Sequence, residues 1–307
     1  MALTPIQQEF AKFLAGIWTS TEGNVDHCNS DFNTGLASGM FWHQYKITNH
    51  HSWNTWKTGN PTGTISHGIR FVAARKTHWW CQSLSDAAHH YSWTASSVGT
   101  FAGLATALQG AMRANNQSAT ADVCRKLFVW GGVAKSPADA SQVWVEHHER
   151  AGTLVKNIQL AVTLLTPGNS APLTSFNCTG LLMNSAMTKV YAAANPSVII
   201  YDGRVGAALG LLARLFLSIN GNKSVPPELH FLWGASRTNP HSRNPSHGSY
   251  VFKSLNDYGI GDCDRADVAR KAGSLLSEIM QLINRTSAVV TMHDLEKALF
   301  MIGYRVR

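Results

Sequence analysis

The sequence predicts a mostly α-helical fold, and three observations lead to that prediction. From Ser85 onward, apolar residues recur at helical spacing, bounded by start signals such as Ser136-Pro137 and stop signals such as Gly131-Gly132. Strand patterns are scarce in the same region, and the best of them, SVIIY at residues 197–201, is short. The chain has 307 residues, which is long enough to bury a substantial core without disulfides. We expect a single unit over residues 1–307, either one compact body or two interleaved helical lobes.

The first predicted helix begins at Thr4-Pro5, a residue pair that suits the cap and first turn of a helix. One long candidate contains Ala151-Gly152, where we expect it to break. In chain order, the predicted helices cover residues 4–18, 97–115, 118–130, 137–166, 180–194, 203–219, 265–285 and 291–302.

Residues 21–81 follow a different pattern, in which Gly, Asn, Thr, His and Trp alternate without a sustained period. Residues 1–85 also hold six of the ten tryptophans, namely Trp18, Trp42, Trp53, Trp56, Trp79 and Trp80. This aromatic content argues against disorder. We therefore expect residues 1–85 to form an irregular section with short strands or turns, packed on a helical core of residues 86–307. A long irregular segment inside a folded protein is typical of a functional region.

The net charge of +8 is carried by few groups, because only 14% of the residues are Asp, Glu, Lys or Arg. A basic bias of this kind is typical of proteins that bind a polyanion such as nucleic acid. It is equally compatible with a charge that serves solubility alone. Aromatic residues interleaved with basic ones favour the first interpretation, since aromatic rings can stack on bases.

The five cysteines are odd in number and lie far apart along the sequence. Both observations argue against a disulfide framework and a cysteine-rich zinc site. VEHHER and HWWC each offer two metal ligands without a complementary pair, so we expect no metal. The chain has no phosphate-binding glycine motif and no H-E-x-x-H, and we expect no cofactor. The first 18 residues do not resemble a signal peptide, and no apolar run reaches the roughly 18 to 20 residues that span a bilayer. We expect a cytoplasmic protein with no membrane partner.

Asp202 stands between SVIIY and a predicted helix. Val205, Leu209, Leu212 and Phe216 recur on one face of that helix, so Asp202 occupies its N-cap position. A capping aspartate accepts a backbone N–H and interacts favourably with the helix dipole, which is worth about 1 kcal/mol. Taken alone, this pattern favours a structural role for Asp202.

The surrounding segment changes that interpretation. CTGLLMNSAMTKVYAAANPSVIIYDGRVGAAL, residues 178–209, resembles the catalytic end of the helix-hairpin-helix superfamily of DNA glycosylases, in which a lysine precedes a short link whose aspartate heads the next helix. Lys189 and Asp202 occupy the comparable places. This segment and LEKALFMIGYRVR, residues 295–307, are also similar to bacterial proteins of the 8-oxoguanine glycosylase-like group. The chain has no L-P-G-V-G hairpin, and NCTGLLMNS at residues 177–185 is the nearest substitute. The interval from Lys189 to Asp202 is also shorter than in the well-known lysine-bearing members.

The resemblance implies a two-lobed helical glycosylase-like bundle that forms a single catalytic unit. In such an enzyme, a carboxylate at Asp202 would stabilise the oxocarbenium character of the deoxyribose and activate a water molecule. Lys189 would attack the sugar carbon and form a Schiff base, which would add lyase activity. The alternative for Lys189 is a solvated surface lysine.

A glycosylase must also extrude the target base, stack it on aromatic side chains and hold the DNA phosphates. Most of the tryptophans suit a core, and the candidates for the base pocket are Trp42, Trp53, Trp79, Trp80 and Trp93, with His43, His50, His51, His78, His89 and His90 nearby in the sequence. The candidates for phosphate contacts are Arg204, Lys135, Arg237 and Arg243. Arg204 could instead pair with Asp202.

We expect a monomer that acts on double-stranded DNA containing a modified base. The aromatic and histidine-rich composition of residues 41–93 suits a base that carries a sugar. Some bacterial glycosylases of this kind resemble defence enzymes that remove glucosylated hydroxymethylcytosine from phage DNA. Repair of an oxidised or alkylated base is the alternative substrate. A non-catalytic nucleic-acid-binding protein and a helical binding module are the alternative functions.

Overall fold

The structure is a computed structural model that describes residues 3–19, 32–37, 40–46, 78–91, 98–236, 240–285 and 289–307. These residues are mostly helical, which confirms the predicted fold class. The helices are α1 (Pro5–Gly16), α2 (Leu84–His89), α3 (Phe101–Arg113), α4 (Gln117–Gly131), α5 (Ala140–Arg150), α6 (Leu154–Leu165), α7 (Met187–Ala194), α8 (Gly203–Ile219), α9 (Asp262–Asn284) and α10 (Met292–Ile302). Short 3₁₀ turns lie at Pro227–Leu229 and Pro240–Arg243. In the described part of the chain, no helix is both long enough and apolar enough to cross a membrane.

Three short strands form one antiparallel sheet in the order β1 (Phe32–Ala37), β2 (Met40–Lys46) and β3 (His78–Cys81). Tyr45 of β2 lies opposite Trp79 of β3, and their rings stack with centroids 5.1 Å apart. The Tyr45 hydroxyl donates a 2.9 Å hydrogen bond to the carbonyl of Met301, at the end of α10. The expectation of short strands within residues 21–81 is therefore confirmed for the described residues.

Side chains that cap the helices explain several helix boundaries. Ser83 accepts a hydrogen bond from the amide of Asp86 at the start of α2, and Asn116 accepts one from the amide of Ala119 in α4. Gly132 ends α4 with φ of 63°, a left-handed conformation that glycine adopts without strain. These residues are the start and stop signals on which sequence-based helix boundaries depend.

Two of the predicted helices have a break or a late start in the structure. The candidate helix at 137–166 divides into α5 and α6, and Gly152 lies at the break with φ of 68°, as expected. The candidate at 180–194 was wrong in its first half, because α7 begins only at Met187. The side-chain oxygen of Asn184 accepts hydrogen bonds from the amides of Ala186 and Met187, at 2.9 and 3.0 Å, and so fixes the later start.

The chain divides into two compact units, each assembled from separate segments. Unit 1 contains Ala95–Asp202 and Asn256–Ser277, and unit 2 contains Leu3–Thr94, Gly203–Leu255 and Glu278–Arg307. The expectation of a single unit over residues 1–307, with residues 1–85 packed on residues 86–307, stays a prediction.

Each unit has its own core. In unit 1, α3 packs on α4 and α7, and α6 packs on α7. In unit 2, α1 packs on α8, where Phe10 and Phe216 meet with ring centroids 5.3 Å apart, and α10 packs on α2 and α8.

Candidate functional site

The link between α7 and Asp202 is held against α7 by one hydroxyl group. The hydroxyl of Thr188 donates a 3.1 Å hydrogen bond to the carbonyl of Ile199 and accepts a 2.9 Å hydrogen bond from the amide of Tyr201. Thr188, Ile199 and Tyr201 are all buried. Residues 197–201, which carry the best strand pattern in the sequence, are not a strand, because this side chain satisfies backbone groups that a neighbouring strand would otherwise pair.

Asp202 is half-buried and directly precedes Gly203, the first residue of α8. It therefore holds the N-cap position that the sequence predicts. The Thr188 contacts fix the backbone of the residue before it. The backbone that leads into Asp202 is thus held by a buried link in unit 1.

Lys189 follows Thr188 on α7, and only 6% of it is exposed. Its amine donates a 2.6 Å hydrogen bond to the carbonyl of Ser185. The aliphatic stem crosses the end of α4 so closely that a Cβ on Gly131 would lie 2.5 Å from its Cδ and Cε atoms. The alternative, a solvated surface lysine, is therefore wrong. Lysines that act as nucleophiles often have an amine that is removed from water in this way.

The backbone amides of the turn at residues 177–185 donate hydrogen bonds to nearby protein groups. The Asn177 side-chain oxygen accepts hydrogen bonds from the amides of Thr179 and Gly180, at 3.2 and 2.7 Å. The amide of Leu181 donates to the carbonyl of Ser175, and that of Met183 donates to the carboxylate of Asp262, both at 2.8 Å. These amides are engaged with protein acceptors, so they do not form a phosphate site as they stand.

In unit 2, the first turn of α8 is enclosed by two glycine contacts. The amide of Gly234 donates a 3.1 Å hydrogen bond to the carbonyl of Gly203, and a Cβ on Gly234 would lie 2.7 Å from the Cα of Gly203. A Cβ on Gly303, just after α10, would overlap the carbonyl group of Arg204. Only glycine permits these approaches, which fix the start of the helix.

Arg204 is half-buried, and its guanidinium group lies 4.2 Å from the ring centroid of Phe300 and 5.4 Å from that of Tyr304. Arg243 ends the 3₁₀ turn at Pro240–Arg243 and is also half-buried. Both of these predicted phosphate ligands belong to unit 2. Of the other two, Lys135 is exposed in the loop between α4 and α5 of unit 1, and Arg237 lies outside the described residues.

The base-pocket predictions need a correction. Trp79 and Trp80 are 2% and 5% exposed in the core of unit 2, so a base cannot stack on them without displacing core side chains. Trp42 is half-buried on β2, with its ring against Gly35 of β1. Trp53 and Trp93 lie outside the described residues.

The histidines predicted near the base pocket also differ in burial and position. His43 is fully buried, and its ring lies 3.1 Å from the carbonyl of Ile302. Burial lowers the pKa of His43 to about 4. His90 lies 3.1 Å from the carboxylate of Asp86, and His89 is exposed. His78 lies on β3, and His50 and His51 fall outside the described residues.

Sequence reasoning missed Thr188, Phe300 and Tyr304, although each stands beside a residue or motif that it selected. A threonine next to the lysine and two aromatics in LEKALFMIGYRVR were the available signals. Among the described residues, no group of three or more His, Cys, Asp or Glu side chains is arranged to hold a metal ion. Comparison with known protein families, with characterised proteins and with solved structures gave no significant match.

Proposed function

We propose that this protein is a DNA glycosylase that cleaves the N-glycosidic bond of a modified base, with Asp202 as its essential acid. The observation that carries the proposal is the Thr188 bridge. Through it, the residue next to Lys189 holds the residue next to Asp202. A buried amine and the backbone that leads into Asp202 are thereby held on one helix, in the chain order of the resembled superfamily.

The carboxylate has a defined task in this reaction. When the bond between C1′ and the base nitrogen breaks, its electron pair leaves with the base and the sugar gains oxocarbenium character. A carboxylate beside the sugar stabilises charge that develops only in the transition state. Asp202 also takes the proton of the water that adds to C1′, and that proton passes to the departing base. An abasic site and a free base are the products.

Lys189 supports a second route at the same site. With its amine neutral, Lys189 would attack C1′ in place of water, and the base would leave with the electron pair of the broken bond and take one amine proton. The second amine proton would pass to the ring oxygen as the sugar opens, which leaves a Schiff base between Lys189 and C1′. The hydrogen bond to the Ser185 carbonyl uses one N–H of the amine and holds it in place. Sodium borohydride reduces such a Schiff base and traps the protein on DNA, so trapping that is lost in Lys189→Ala would assign the lyase route.

The substrate that we favour is double-stranded DNA with a hypermodified cytosine such as glucosylated hydroxymethylcytosine, and the role is removal of that base from phage DNA. The composition of residues 41–93 supports this choice, although Trp79 and Trp80 no longer contribute to it. Excision of an oxidised or alkylated base is the alternative. A panel of DNA substrates that carry each modification separates the two.

The test is base release by the wild type, Asp202→Asn and Asp267→Asn. Asparagine caps a helix about as well as aspartate, so Asp202→Asn removes the charge and keeps the cap. Asp267 is a surface residue paired with Lys271 on α9, and its replacement removes the same charge elsewhere. The proposal predicts free base and abasic sites from the wild type and Asp267→Asn, and neither product from Asp202→Asn. If the wild type releases no base from any substrate, the proposal fails and a non-catalytic binding module is favoured. If Asp202→Asn remains active, Asp202 is not the essential acid and the proposal fails on that ground.

A further inference from the structure

The positive charge of the chain is concentrated in unit 2. That unit contains sixteen Lys and Arg residues against nine Asp and Glu, whereas unit 1 contains ten against nine. Within unit 2, the segment Gly203–Leu255 has six basic residues and one acidic residue, Glu228. A charge that served solubility alone would be expected to be spread over both units.

Several of these basic residues converge at one place in unit 2. The carbonyl of Ser242 accepts hydrogen bonds from the amides of Val306 and Arg307, at 2.7 and 3.2 Å. These bonds bring Arg243 beside residues 305–307. On α8, Arg214 donates a 2.7 Å hydrogen bond to the carbonyl of Pro245, two residues beyond Arg243.

Tyr304 lies within this group, with the Arg204 guanidinium 5.4 Å from its ring centroid. Burial raises the pKa of the Tyr304 hydroxyl. Three guanidinium groups act against that rise, those of Arg204, Arg243 and Arg305. Three positive charges therefore act on the hydroxyl of one half-buried tyrosine. A second ring, that of Phe300, lies 4.2 Å from the Arg204 guanidinium.

The same grouping places like charges together. Burial lowers the pKa of Arg214, and the positive charge of Arg307 lowers it further. Like charges repel one another, and an anionic ligand that lies between Arg214 and Arg307 would reduce that repulsion. The planar fork of each group matches two oxygens of a phosphate.

We infer that this arginine cluster is a surface that binds the phosphate backbone of nucleic acid, and it consists of Arg204, Arg214, Arg243, Arg305 and Arg307. The half-exposed rings of Phe300 and Tyr304 favour nucleic acid over an anionic membrane, because aromatic faces beside arginines suit sugars and bases. The choice of double-stranded DNA rests on the proposed function. The inference also accounts for the turn at residues 177–185, whose engaged amides leave phosphate binding to another part of the chain.

The test is the salt dependence of binding to a short, unmodified DNA duplex, followed by fluorescence anisotropy. Each neutralised phosphate contributes about 0.9 to the slope of log affinity against log salt, so a slope between about −3 and −5 is expected for the wild type. Arg243→Gln/Arg305→Gln should flatten that slope by about 2 and weaken binding at least about tenfold near physiological salt. Arg243→Lys/Arg305→Lys keeps the charges and should keep the slope.

The matched control is Arg113→Gln/Arg150→Gln, which removes two charges from exposed positions of unit 1 and should leave the slope unchanged. A wild-type slope near zero would overturn the inference without any variant. Equal flattening in the control, or salt-sensitive binding to phosphatidylserine vesicles without binding to DNA, would also overturn it. A protein that binds in this way but releases no base would retain the surface and refute the glycosylase proposal.

Discussion

The amide of Tyr201 donates a 2.9 Å hydrogen bond to the hydroxyl of Thr188, and both residues are buried. The bond joins the link before α8 to the helix that carries Lys189. Through the residues next to them, it connects the two residues to which we assign chemistry.

Thr188→Val keeps the shape of the side chain and removes both of its hydrogen bonds to the link. A buried amide and a buried carbonyl then lose a partner, which costs about 1–3 kcal/mol of unfolding free energy. Because the backbone before Asp202 is then held less firmly, the enzyme should release base about tenfold to a hundredfold more slowly. Urea denaturation and base-release assays measure the two effects. Thr163→Val removes a hydroxyl that donates a hydrogen bond to the carbonyl of Gln159 on the exposed face of α6. It should change neither the unfolding free energy nor the rate of base release.

Gly131→Ala should displace the lysine without altering the lysine itself. The added methyl group would lie 2.5 Å from two carbons of the Lys189 stem, so the stem has to move. We expect borohydride trapping to fall at least about tenfold, since small displacements of a reacting group have effects of that size. Gly110→Ala, in α3 with no atom within 4 Å of the added carbon, should trap at the wild-type level. Equal trapping by the two variants would contradict the placement of Lys189.

Gly303→Ala should destabilise the protein, because its methyl group would overlap the carbonyl group of Arg204. Overpacking of this kind costs about 1–3 kcal/mol, and a backbone obstacle has little room to relax. The midpoint of urea denaturation should fall accordingly. Gly273→Ala on α9 is the control, because its nearest neighbour is 3.7 Å away. It should be neutral or slightly stabilising, and a comparable loss there would contradict the account.

His43 makes stability depend on pH. Burial lowers its pKa from 6.5 to about 4 in the folded protein, so the unfolded chain binds the proton more readily between those values. Stability contributed by the neutral ring is complete above pH 6.5 and is lost as pH falls toward 4, by about 3 kcal/mol. Urea midpoints measured across this range should fall with pH in the wild type. The decrease should be shallower in His43→Leu, and an unchanged decrease would exclude His43 as its source.

The local parts of the fold could be predicted from the sequence. The span of α8 was predicted correctly, because its apolar face repeats regularly after Asp202. The break at Gly152 was also predictable, because a turn with a positive φ favours glycine. These features depend on residues that lie close together along the chain.

Features that depend on distant contacts could not be predicted in this way. The burial of Lys189 arises from Gly131 on another helix, and nothing in the sequence around the lysine signals it. The late start of α7 depends on the capping oxygen of Asn184, which competes with the helical pattern of residues 180–186. The core positions of Trp79 and Trp80 depend on the pairing of β3 with β2. The arginine cluster assembles from three separated stretches of chain.

The central claim is that Asp202 performs chemistry in addition to its position at the head of α8. The most direct measurement is a time course of free base and abasic sites from phage DNA containing glucosylated hydroxymethylcytosine, with the wild type and Asp202→Asn at equal concentration. The account predicts release by the wild type and none above background by Asp202→Asn, with unfolding free energies in urea that agree within about 0.5 kcal/mol because asparagine suits the N-cap position about as well as aspartate. Equal release by the two proteins would contradict it.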